Sequence, residues 1–489
     1  MDLSKFSTIF SPVMNMYTKL GLFIGGKWIY EAKKGEDVLN PFDESVLGWL
    51  PHATEGDLND AVKSSKKGFD EWRNTDPEVR SRVILKAADI LSERISSISE
   101  VMTLEQGKPL AESAGEINQS IAILKFNGEN AKLIKDEVVA DRDNGLKTLI
   151  KPQPLGVCLC LTAWNFPIAL VIRKIAPALA AGCSVIIKPS EETPGTAIEV
   201  IKIFQEAGLP KDVINLVFGV PHEISDYLLS RDEVKKVSFT GSVPVGKLLA
   251  KKSAESLKRC TLELGGHSPA IIAEDADIET TLDTLTGFKF RNSGQVCIAP
   301  SRFYVHENIY EQVKDGFLKR IKNITLGNGL NDGISMGPLS NSRRVDAMKD
   351  FIDDAVKNGS NIIYGGTRHQ DKGYFWEPTL IENIHEGSKI MTQEIFGPIL
   401  ALFKFNDYDD VIEKANSLNY GLASYVYTTS EVLQEKMAKE IIAGGVSINT
   451  ASPMHPEIPY GGIKESGIGY EGGIDAIYSF IHKKNINIV

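Results

Sequence analysis

The sequence has few of the residues that build disulfide frameworks or metal centres. Its 489 residues include five cysteines, an odd number, and eight histidines. No two cysteines have the CxxC spacing, and no two histidines have the HxxxH spacing that places two ligands on one helix face. We therefore expect no metal site. So few cysteines in a long chain favour a reducing compartment, which we take to be the cytoplasm.

Basic residues are also scarce. Lys and Arg number 54 against 64 Asp and Glu, a net charge of -10, and no basic block could follow a phosphate backbone. No apolar run reaches membrane-spanning length, so we expect neither nucleic acid nor a membrane as partner. The first 20 residues lack the pattern of a secretory signal, and no arginine precedes Arg73. We expect residues 1–20 to be a short extension, with Met14 or Met16 as alternative starts.

The length of the chain exceeds what one hydrophobic core usually serves, so we expect two or three domains. Residues 22–28 have a hairpin pattern, and two helical periodicities follow, the second over 83–98. Short apolar runs then alternate with helical stretches, which predicts parallel βαβ units in two α/β domains. The runs are 156–161, 184–187, 213–218, 237–240 and 269–272, then 302–305, 361–364, 399–405, 424–427 and 446–449.

A cysteine and a carboxylate suggest covalent catalysis. Cys297 stands among small and polar residues, 34 positions after Glu263 in a Leu-Glu-Leu-Gly-Gly run. A thiolate is the nucleophilic form of cysteine, and a carboxylate that relays a proton through water can activate the thiol or its adduct. The pair predicts a nucleophilic cysteine served by a general base.

A phosphate-binding turn is predicted where an apolar strand ends at Thr240, Gly241 and Ser242 and a helical stretch follows. Backbone amides at such a helix start can bind a pyrophosphate. The run departs from the usual GxGxxG pattern, so an ordinary strand-to-helix turn is the alternative for this run alone.

A second strand end carries Lys188 and Glu191. Open α/β sheets bind ligands at the carboxyl ends of their strands, where a carboxylate can hold a ribose diol. Since a carboxylate repels a 2'-phosphate, Glu191 favours NAD over NADP. For either residue alone, a solvated loop charge is the simpler interpretation.

An amide follows the run at 156–161. Asn165 lies within Thr-Ala-Trp-Asn-Phe-Pro, residues 162–167. Its side chain can donate a hydrogen bond to a developing oxyanion, an interaction worth on the order of 3 kcal/mol. The alternative is a buried asparagine that caps a turn.

Together these runs resemble the NAD(P)-dependent aldehyde dehydrogenase superfamily from about residue 22 to the C-terminus. Its motifs occur in the family's order at 164–167, 188–191, 239–242, 262–266, 294–297, 394–398 and 459–467. The resemblance implies an α/β fold with three parts and a homodimer or homotetramer. These parts are a Rossmann-like cofactor domain at 21–132 and 154–262, an α/β catalytic domain at 263–450, and a small β oligomerisation arm at 133–153 and 463–489.

The resemblance also implies a mechanism. Cys297 attacks the aldehyde carbon while the Asn165 amide and the Cys297 backbone N–H hold the oxyanion. The thiohemiacetal gives hydride to NAD, with NADP as the alternative cofactor. Glu263 then activates the water that hydrolyses the thioester.

For the cofactor, the resemblance assigns the adenosine ribose to Lys188 and Glu191 and the pyrophosphate to Ser242. It assigns the nicotinamide ribose to Glu394 and places Phe396 beside the nicotinamide. The remaining predicted cofactor residues are Thr162, Ala163, Trp164, Ser190, Gly219, Thr240, Gly241 and Leu264.

Within the superfamily, the chain most resembles the dehydrogenases of succinate semialdehyde and 2-oxoglutarate semialdehyde. Arg173 and Arg291 match positions that bind the far carboxylate of the substrate in that branch, and arginine suits a bidentate carboxylate clamp. His455 is the third predicted substrate residue, in a loop expected to line the substrate mouth, but it departs from the branch, which has at or near this position a serine that helps bind the carboxylate. Ala299, two residues after Cys297, excludes a second cysteine there.

Three alternatives stay open from the sequence. A sibling enzyme could act on a small neutral aldehyde such as glyceraldehyde, although the two arginines favour an acid. A thiol hydrolase of the nitrilase kind also uses Cys, Glu and Lys, but would not need the ribose and pyrophosphate motifs. A non-catalytic relative would have no need for an intact Cys297, Glu263 and Asn165.

Overall fold

The computed structural model describes residues 17–141, 146–451 and 454–488, and the described strands form sheets of eight, seven, three and two strands. The fold is α/β, as the sequence predicts. In the first half of the chain the elements are β1 (Leu22–Ile24), β2 (Lys27–Ile29), β3 (Gly35–Leu39), β4 (Val46–Pro51), α1 (Glu55–Trp72), α2 (Pro77–Glu93), α3 (Ile95–Gln106), α4 (Leu110–Ala131), β5 (Glu137–Asp141), β6 (Lys147–Pro154), β7 (Val157–Leu161), α5 (Pro167–Ala181), β8 (Ser184–Lys188), α6 (Pro194–Glu206), β9 (Ile214–Leu216), α7 (Pro221–Leu229), β10 (Val234–Gly241), α8 (Val243–Ala254) and β11 (Arg259–Leu264).

The second half of the chain begins with β12. Short 3₁₀ turns occur at Arg291–Gly294, Glu307–Ile309 and Lys464–Ser466. The remaining elements are β12 (Ser268–Ile272), α9 (Ile278–Phe290), β13 (Pro300–His306), α10 (Tyr310–Ile321), α11 (Ser342–Lys357), β14 (Asn361–Tyr364), β15 (Thr379–Glu382), α12 (Lys389–Thr392), β16 (Ile399–Phe405), α13 (Tyr408–Asn416), β17 (Ala423–Tyr427), α14 (Glu431–Glu440), β18 (Gly445–Ile448), β19 (Gly467–Ile468), α15 (Gly473–Tyr478) and β20 (Ile481–Ile488).

The eight-stranded sheet has the order β19-β11-β10-β7-β8-β9-β1-β2. The five strands from β11 to β9 are parallel, and the predicted hairpin β1-β2 extends one edge. Strands β7 and β8 are buried at every residue, as expected for parallel strands covered by helices on both faces. After β7, the chain adds β8 and β9 on one side of β7 and then adds β10 on the other side, so the strand order reverses at β7. This switch point is where open α/β sheets bind ligands.

The seven-stranded sheet has the order β14-β15-β16-β13-β12-β17-β18. All its pairings are parallel except β14 with β15 at the edge. All ten apolar runs predicted as strands overlap strands of the two large sheets. Two runs depart from the predicted parallel series, since 269–272 is β12 of the second sheet and 361–364 is β14, which pairs antiparallel. The chain crosses from the carboxyl end of β11 to the amino end of β12 within residues 265–267, which brings these two sheet edges together.

The three-stranded sheet has the order β20-β6-β5, and β20 pairs with β6 along its whole length. Strand β19, also from the C-terminal segment, instead joins β11 in the large sheet. The domain boundaries drawn from the sequence stay a prediction. Most of the proposed extension, residues 1–16, lies outside the described residues, as do Met14 and Met16.

The single helix predicted over 83–98 is two helices. Arg94 interrupts them with φ -113° and ψ 15°, and its N–H bonds to the Leu91 carbonyl to close α2. The apolar spacing continues through this one non-helical residue, so periodicity alone does not reveal the break. Of the described helices, none is both long enough and apolar enough to cross a membrane.

Candidate active site

The predicted nucleophile and base meet where the two large sheets face each other. Glu263 lies near the carboxyl end of β11 and is 3% exposed, whereas Cys297 is partly buried in the loop before β13. Gly266 permits this approach, because a Cβ there would stand 2.7 Å from the Cys297 carbonyl oxygen. A residue with a side chain at this position would push the nucleophile loop away.

Tyr460 joins the two groups. Its hydroxyl lies 3.2 Å from Glu263 Oε1 and 3.8 Å from Cys297 Sγ. Reciprocal backbone hydrogen bonds between Tyr460 and Glu471 hold the tyrosine in place, at 2.8 and 2.6 Å. Sequence reasoning missed a role for Tyr460, although it stands in the motif at 459–467.

Burial dominates the electrostatics of this group. Burial raises the pKa of the Cys297 thiol well above its usual value, and the charge of Glu263 raises it further. Burial also raises the pKa of Glu263, and the charge of Glu471 adds to that increase. Cys297 is therefore a thiol near neutral pH, and a proton must leave it before attack on an electrophile.

A buried ion pair lies beside Glu263. Lys174, on α5, binds Glu471 through its ammonium group, and Ser238 of β10 contacts both side chains. The two charges act oppositely on Glu263, since Lys174 lowers its pKa and Glu471 raises it. Sequence reasoning did not assign Lys174 or Glu471 to the site.

Asn165 lies against the nucleophile loop. Its Nδ2 donates to the Gln295 carbonyl at 3.1 Å, two residues before Cys297, while its Oδ1 is buried without a hydrogen-bond partner. The Asn165 carbonyl accepts from Lys108 Nζ at 2.9 Å and from Asn292 Nδ2 at 2.8 Å. The amide is thus held beside the cysteine loop, and its role towards an oxyanion stays a prediction.

A second buried ion pair anchors this turn. Lys108 Nζ lies 2.6 Å from Glu116 Oε2, and both side chains are almost fully buried. Glu116 Oε1 accepts from the backbone N–H groups of Ile168 and Ala169, each at 3.0 Å, in the first turn of α5. The pair fixes the Asn165 carbonyl and the start of the helix that carries Arg173. Lys108 and Glu116 were not predicted as site residues.

The loop before Cys297 has an unusual backbone. Asn292, Ser293 and Gly294 all have left-handed conformations, with φ of 51°, 54° and 72°. At Gly294 a Cβ would stand 2.2 Å from the Gly397 carbonyl oxygen, so only glycine fits. Non-glycine residues in this region carry local strain, which is often retained at functional sites.

The predicted adenosine-ribose residues come together past the end of β8. Glu191 Oε2 lies 2.6 Å from Lys188 Nζ, and Glu191 Oε1 accepts from the Gly219 backbone N–H at 3.0 Å. The carboxylate is therefore fixed at the switch-point edge of the sheet. Next to it, Ser190 Oγ accepts from the Glu192 backbone N–H at 3.3 Å.

The residues at the ends of β7 and β10 fit a dinucleotide phosphate. Thr162 and Thr240 each have a buried hydroxyl without a hydrogen-bond partner. Ser242 precedes α8 as its N-cap, is exposed, and makes no capping hydrogen bond through its side chain. Free amides at a helix start bind phosphate, so this edge has the donors that a pyrophosphate needs. Gly241 lies between Thr240 and Ser242.

The predicted nicotinamide residues adjoin the nucleophile. Glu394 Oε1 accepts a hydrogen bond at 3.2 Å from the backbone N–H of Gly266, which stands two residues after Leu264. Burial raises the pKa of Glu394 to about 7. Phe396 has a strained φ of 47°, and its ring meets the Trp164 ring edge-on at 5.6 Å. Ala163 is partly buried next to Trp164. These contacts connect the nicotinamide group of residues to the Glu263 motif.

Two arginines flank the nucleophile without a counter-ion. Arg173 Nη2 and Arg291 Nε are buried and have no hydrogen-bond partner, and neither guanidinium makes an ion pair with another described residue. The Arg173 guanidinium lies 6.0 Å from the Tyr460 ring, and that of Arg291 lies 5.4 Å from the Phe166 ring. Both cations therefore sit beside aromatic residues of the site.

His455 stands apart from this group. Its side chain is exposed and makes no hydrogen bond, ion pair or ring contact with another described residue. Ser452 and Pro453 of the same loop lie outside the described residues.

Ala299 is buried. Cys158, Cys160 and Cys183 are also buried, and Cys260 is partly buried. In the described part of the chain, no three potential ligands cluster as a metal site.

Comparison with known proteins identifies close similarity over nearly the whole chain. Residues 28–486 match the model of the Aldehyde dehydrogenase family. The succinate semialdehyde dehydrogenase of Acinetobacter baylyi is 36% identical over 94% of this chain and 96% of its own. An NADP(+) succinate-semialdehyde dehydrogenase of Escherichia coli is 33% identical over 96% and 98%. The structure of betaine aldehyde dehydrogenase from Staphylococcus aureus with NAD+ matches with a TM-score of 0.94 and 32% identity, over 97% and 96%.

Proposed function

Because the chain belongs to the aldehyde dehydrogenase family, we propose that it oxidises a dicarboxylic semialdehyde to the corresponding acid with NAD. Succinate semialdehyde and 2-oxoglutarate semialdehyde are the proposed substrates. The observation that supports an acidic substrate is the pair Arg173 and Arg291. Each has a buried nitrogen without a hydrogen-bond partner, and neither makes an ion pair with a described residue, although Arg291 is only half-buried and feels the charge of Glu112. A buried cation without a counter-ion is costly, and a substrate carboxylate would supply that counter-ion.

We propose that Cys297 forms the thiohemiacetal and then the thioester, after its proton has left the thiol. The Asn165 amide, held beside Gln295, stabilises the oxyanion. Glu263 takes a proton from the water that hydrolyses the thioester, and its burial suits this work because a raised pKa makes the carboxylate a stronger base. The nicotinamide cofactor, when bound, accepts the hydride.

The proposed cofactor residues lie at the carboxyl ends of β7, β8 and β10, except Gly219, Leu264, Glu394 and Phe396, of which the last two precede β16 of the seven-stranded sheet. Lys188 and Glu191 hold the adenosine ribose, and Gly219 fixes the Glu191 carboxylate. The start of α8 at Ser242, with the hydroxyls of Thr162 and Thr240, binds the pyrophosphate. Glu394 and Phe396 contact the nicotinamide riboside. Family members use NAD or NADP, and the Glu191 carboxylate supports NAD for this chain.

The substrate proposal is tested by initial rates of NAD reduction, compared as kcat/KM across four aldehydes. They are succinate semialdehyde, 2-oxoglutarate semialdehyde, glyceraldehyde and propanal. We expect at least a tenfold preference for an acidic semialdehyde, about 1.4 kcal/mol of discrimination. A preference for glyceraldehyde or propanal would contradict the carboxylate clamp. Turnover without NAD or NADP would favour the thiol-hydrolase alternative, which the relatives do not support.

Replacing Arg291 with alanine should raise KM for succinate semialdehyde by roughly 10- to 100-fold, because a hydrogen bond to a charged group is worth about 1.5–3 kcal/mol. KM for propanal, which has no carboxylate, should change little. Arg291→Lys is the matched variant: it keeps the charge and loses the planar fork, so it should recover only part of the affinity. Equal effects on both aldehydes would show that Arg291 supports the site only through packing.

Replacing Glu191 with glutamine should shift the cofactor preference towards NADP. The amide keeps the size of the side chain, removes the charge that repels a 2'-phosphate, and leaves the Lys188 ammonium without its carboxylate. We expect the NADP to NAD ratio of kcat/KM to rise about tenfold or more, roughly 1.4 kcal/mol. Glu192→Gln is the control, since Glu192 pairs with Asn341 and Arg343 instead, and the ratio there should stay native.

We propose that the three-stranded sheet of β5, β6 and β20 is an oligomerisation arm in a homodimer or homotetramer. Val138 and Val139 on β5 and Ile488 on β20 are large apolar side chains exposed to solvent, which is typical of a contact surface. Sedimentation equilibrium of the purified protein would give the mass, and a monomer would contradict the proposal.

We also propose the cytoplasm as the compartment, because all five cysteines are free thiols. Subcellular fractionation tests this, and recovery in an oxidising compartment would contradict it.

A further inference from the structure

The hydroxyl of Tyr460 contacts both the proposed nucleophile and the proposed base, whose thiol and carboxylate also interact directly with each other. It donates to Glu263 Oε1 at 3.2 Å and has Cys297 Sγ at 3.8 Å on its other side, within hydrogen-bond reach of sulfur. Tyr460 is almost fully buried, so bulk water is excluded from its ring. The thiol, the phenol and the carboxylate therefore form one chain of three proton-bearing groups.

This arrangement bears on how the Cys297 proton leaves. The thiol is protonated near neutral pH because burial and the Glu263 charge raise its pKa. The same burial raises the pKa of Glu263, which strengthens it as a proton acceptor. The raised pKa of the thiol opposes loss of its proton, so the proton needs an acceptor that is held in place, and the tyrosine hydroxyl contacts both the thiol and the carboxylate.

We propose that Tyr460 relays the Cys297 proton to Glu263. In this step the S–H bond of Cys297 breaks and its proton passes to the Tyr460 oxygen. At the same time the original Tyr460 proton passes to Glu263 Oε1. The products are a Cys297 thiolate and a protonated Glu263, and Tyr460 ends as the neutral phenol with which it began. Glu263 must release this proton to solvent before it can act as the base for thioester hydrolysis. The proposal deepens the proposed function and rests on it.

The surrounding charges suit this role. The Arg173 guanidinium, 6.0 Å from the Tyr460 ring, favours negative charge that develops on the phenol oxygen during transfer. On the Glu263 side, Lys174 and Glu471 form a compensated pair, and Glu394 lies near the thiol. The neighbouring Tyr425 cannot serve the same purpose, because its hydroxyl donates to the Ile298 carbonyl at 2.7 Å.

A packing role would not require the hydroxyl. Phenylalanine would fill the same volume, since the Tyr460 ring already lies in the apolar core of the second half of the chain. Tyr460→Phe therefore removes the relay while it keeps the ring, so the variant should fold.

The test measures alkylation of Cys297 by iodoacetamide against pH, together with the first-turnover rate of NADH formation. In Tyr460→Phe we expect both rates to fall at least tenfold near neutral pH. The alkylation difference should shrink at high pH, where the thiol ionises without a relay. NAD affinity should be unchanged. Alkylation with native rate and native pH dependence in Tyr460→Phe would overturn the proposal.

A double-mutant cycle with Glu263→Gln gives a second readout. If Tyr460 acts through Glu263, adding Tyr460→Phe to Glu263→Gln should slow alkylation little further. Independent, multiplicative effects of the two changes would overturn the relay. Tyr310→Phe is the matched control, because Tyr310 is also buried and donates to a carboxylate, Glu382 Oε2, at 3.0 Å. It lies beyond the opposite end of β13 from Cys297. Its alkylation profile should be native.

The failure of this inference is distinguishable from failure of the proposed function. If aldehyde oxidation persists in Cys297→Ala, the proposed nucleophile is wrong and the relay falls with it. If oxidation requires Cys297 but Tyr460→Phe reacts like the native enzyme, only the relay is wrong.

Discussion

Replacing Cys297 with alanine is expected to lower aldehyde oxidation by roughly 10⁴-fold or more, because no other group can form the covalent adduct. NAD binding should stay nearly native. The proposed adenosine and pyrophosphate residues follow β7, β8 and β10 of the eight-stranded sheet, whereas Cys297 lies in the loop before β13 of the other sheet. The substitution removes a small side chain from a partly buried position and should leave the fold intact.

Rapid mixing with NAD and succinate semialdehyde measures the first turnover, and calorimetric titration measures NAD affinity. Cys260→Ala is the matched control, because Cys260 is also partly buried and its thiol only donates weakly to the Lys258 carbonyl. We expect native turnover in that control. Substantial NADH formation by Cys297→Ala would remove the cysteine from the mechanism.

The sequence predicts ten strands of the two large sheets because each contains a short apolar run, and strands buried on both sheet faces, such as β7 and β8, require one. The predicted runs do not include β3, β4, β11, β15 or β19. The hairpin at β1-β2 is equally local, since its turn uses two glycines with positive φ, Gly25 and Gly26. The break at Arg94 is missed for the opposite reason, since one non-helical residue leaves the apolar spacing unchanged.

The contacts of the site are harder to predict because they join distant parts of the chain. Tyr460 is 163 residues from Cys297 and 197 from Glu263, and no local pattern relates their side chains. Lys108 likewise reaches the Asn165 carbonyl across 57 residues. Residue types and motif order can suggest which groups matter. The hydrogen bonds that align them require the fold.

The arginines show how structure sharpens a prediction. In the sequence, Arg173 and Arg291 are two cations near motifs, and surface charges would have the same appearance. In the fold both have buried, unpartnered nitrogen atoms beside aromatic residues of the site. His455, a departure from the related branch, is exposed, and its side chain makes no polar or ring contact with the described residues. Its proposed contact with substrate therefore depends on the loop around it.

Replacing Glu263 with glutamine is expected to lower steady-state turnover by about 10²–10⁴-fold, the usual contribution of a general base. Glutamine keeps the shape of the side chain and can still accept a hydrogen bond from the Tyr460 hydroxyl, but it cannot take a proton. Removal of the base should slow thioester hydrolysis, and through the Tyr460 relay it should also slow formation of the thiolate. Added hydroxylamine, which attacks a thioester without a base, should restore part of the turnover if hydrolysis limits the variant.

The pH dependence separates the base from the nucleophile. Glu263 works in its deprotonated form, and its raised pKa means that native kcat/KM should climb at a pH above the ordinary range of a carboxylic acid. In Glu263→Gln that climb should disappear. The remaining rise should occur at higher pH, where the Cys297 thiol, whose pKa burial raises well above its usual value, ionises by itself. If Glu263→Gln keeps the native rise of kcat/KM on the acidic side of the pH profile, or keeps turnover within about threefold of native, the base is another group. Glu471, which pairs with Lys174, would be the first candidate to examine.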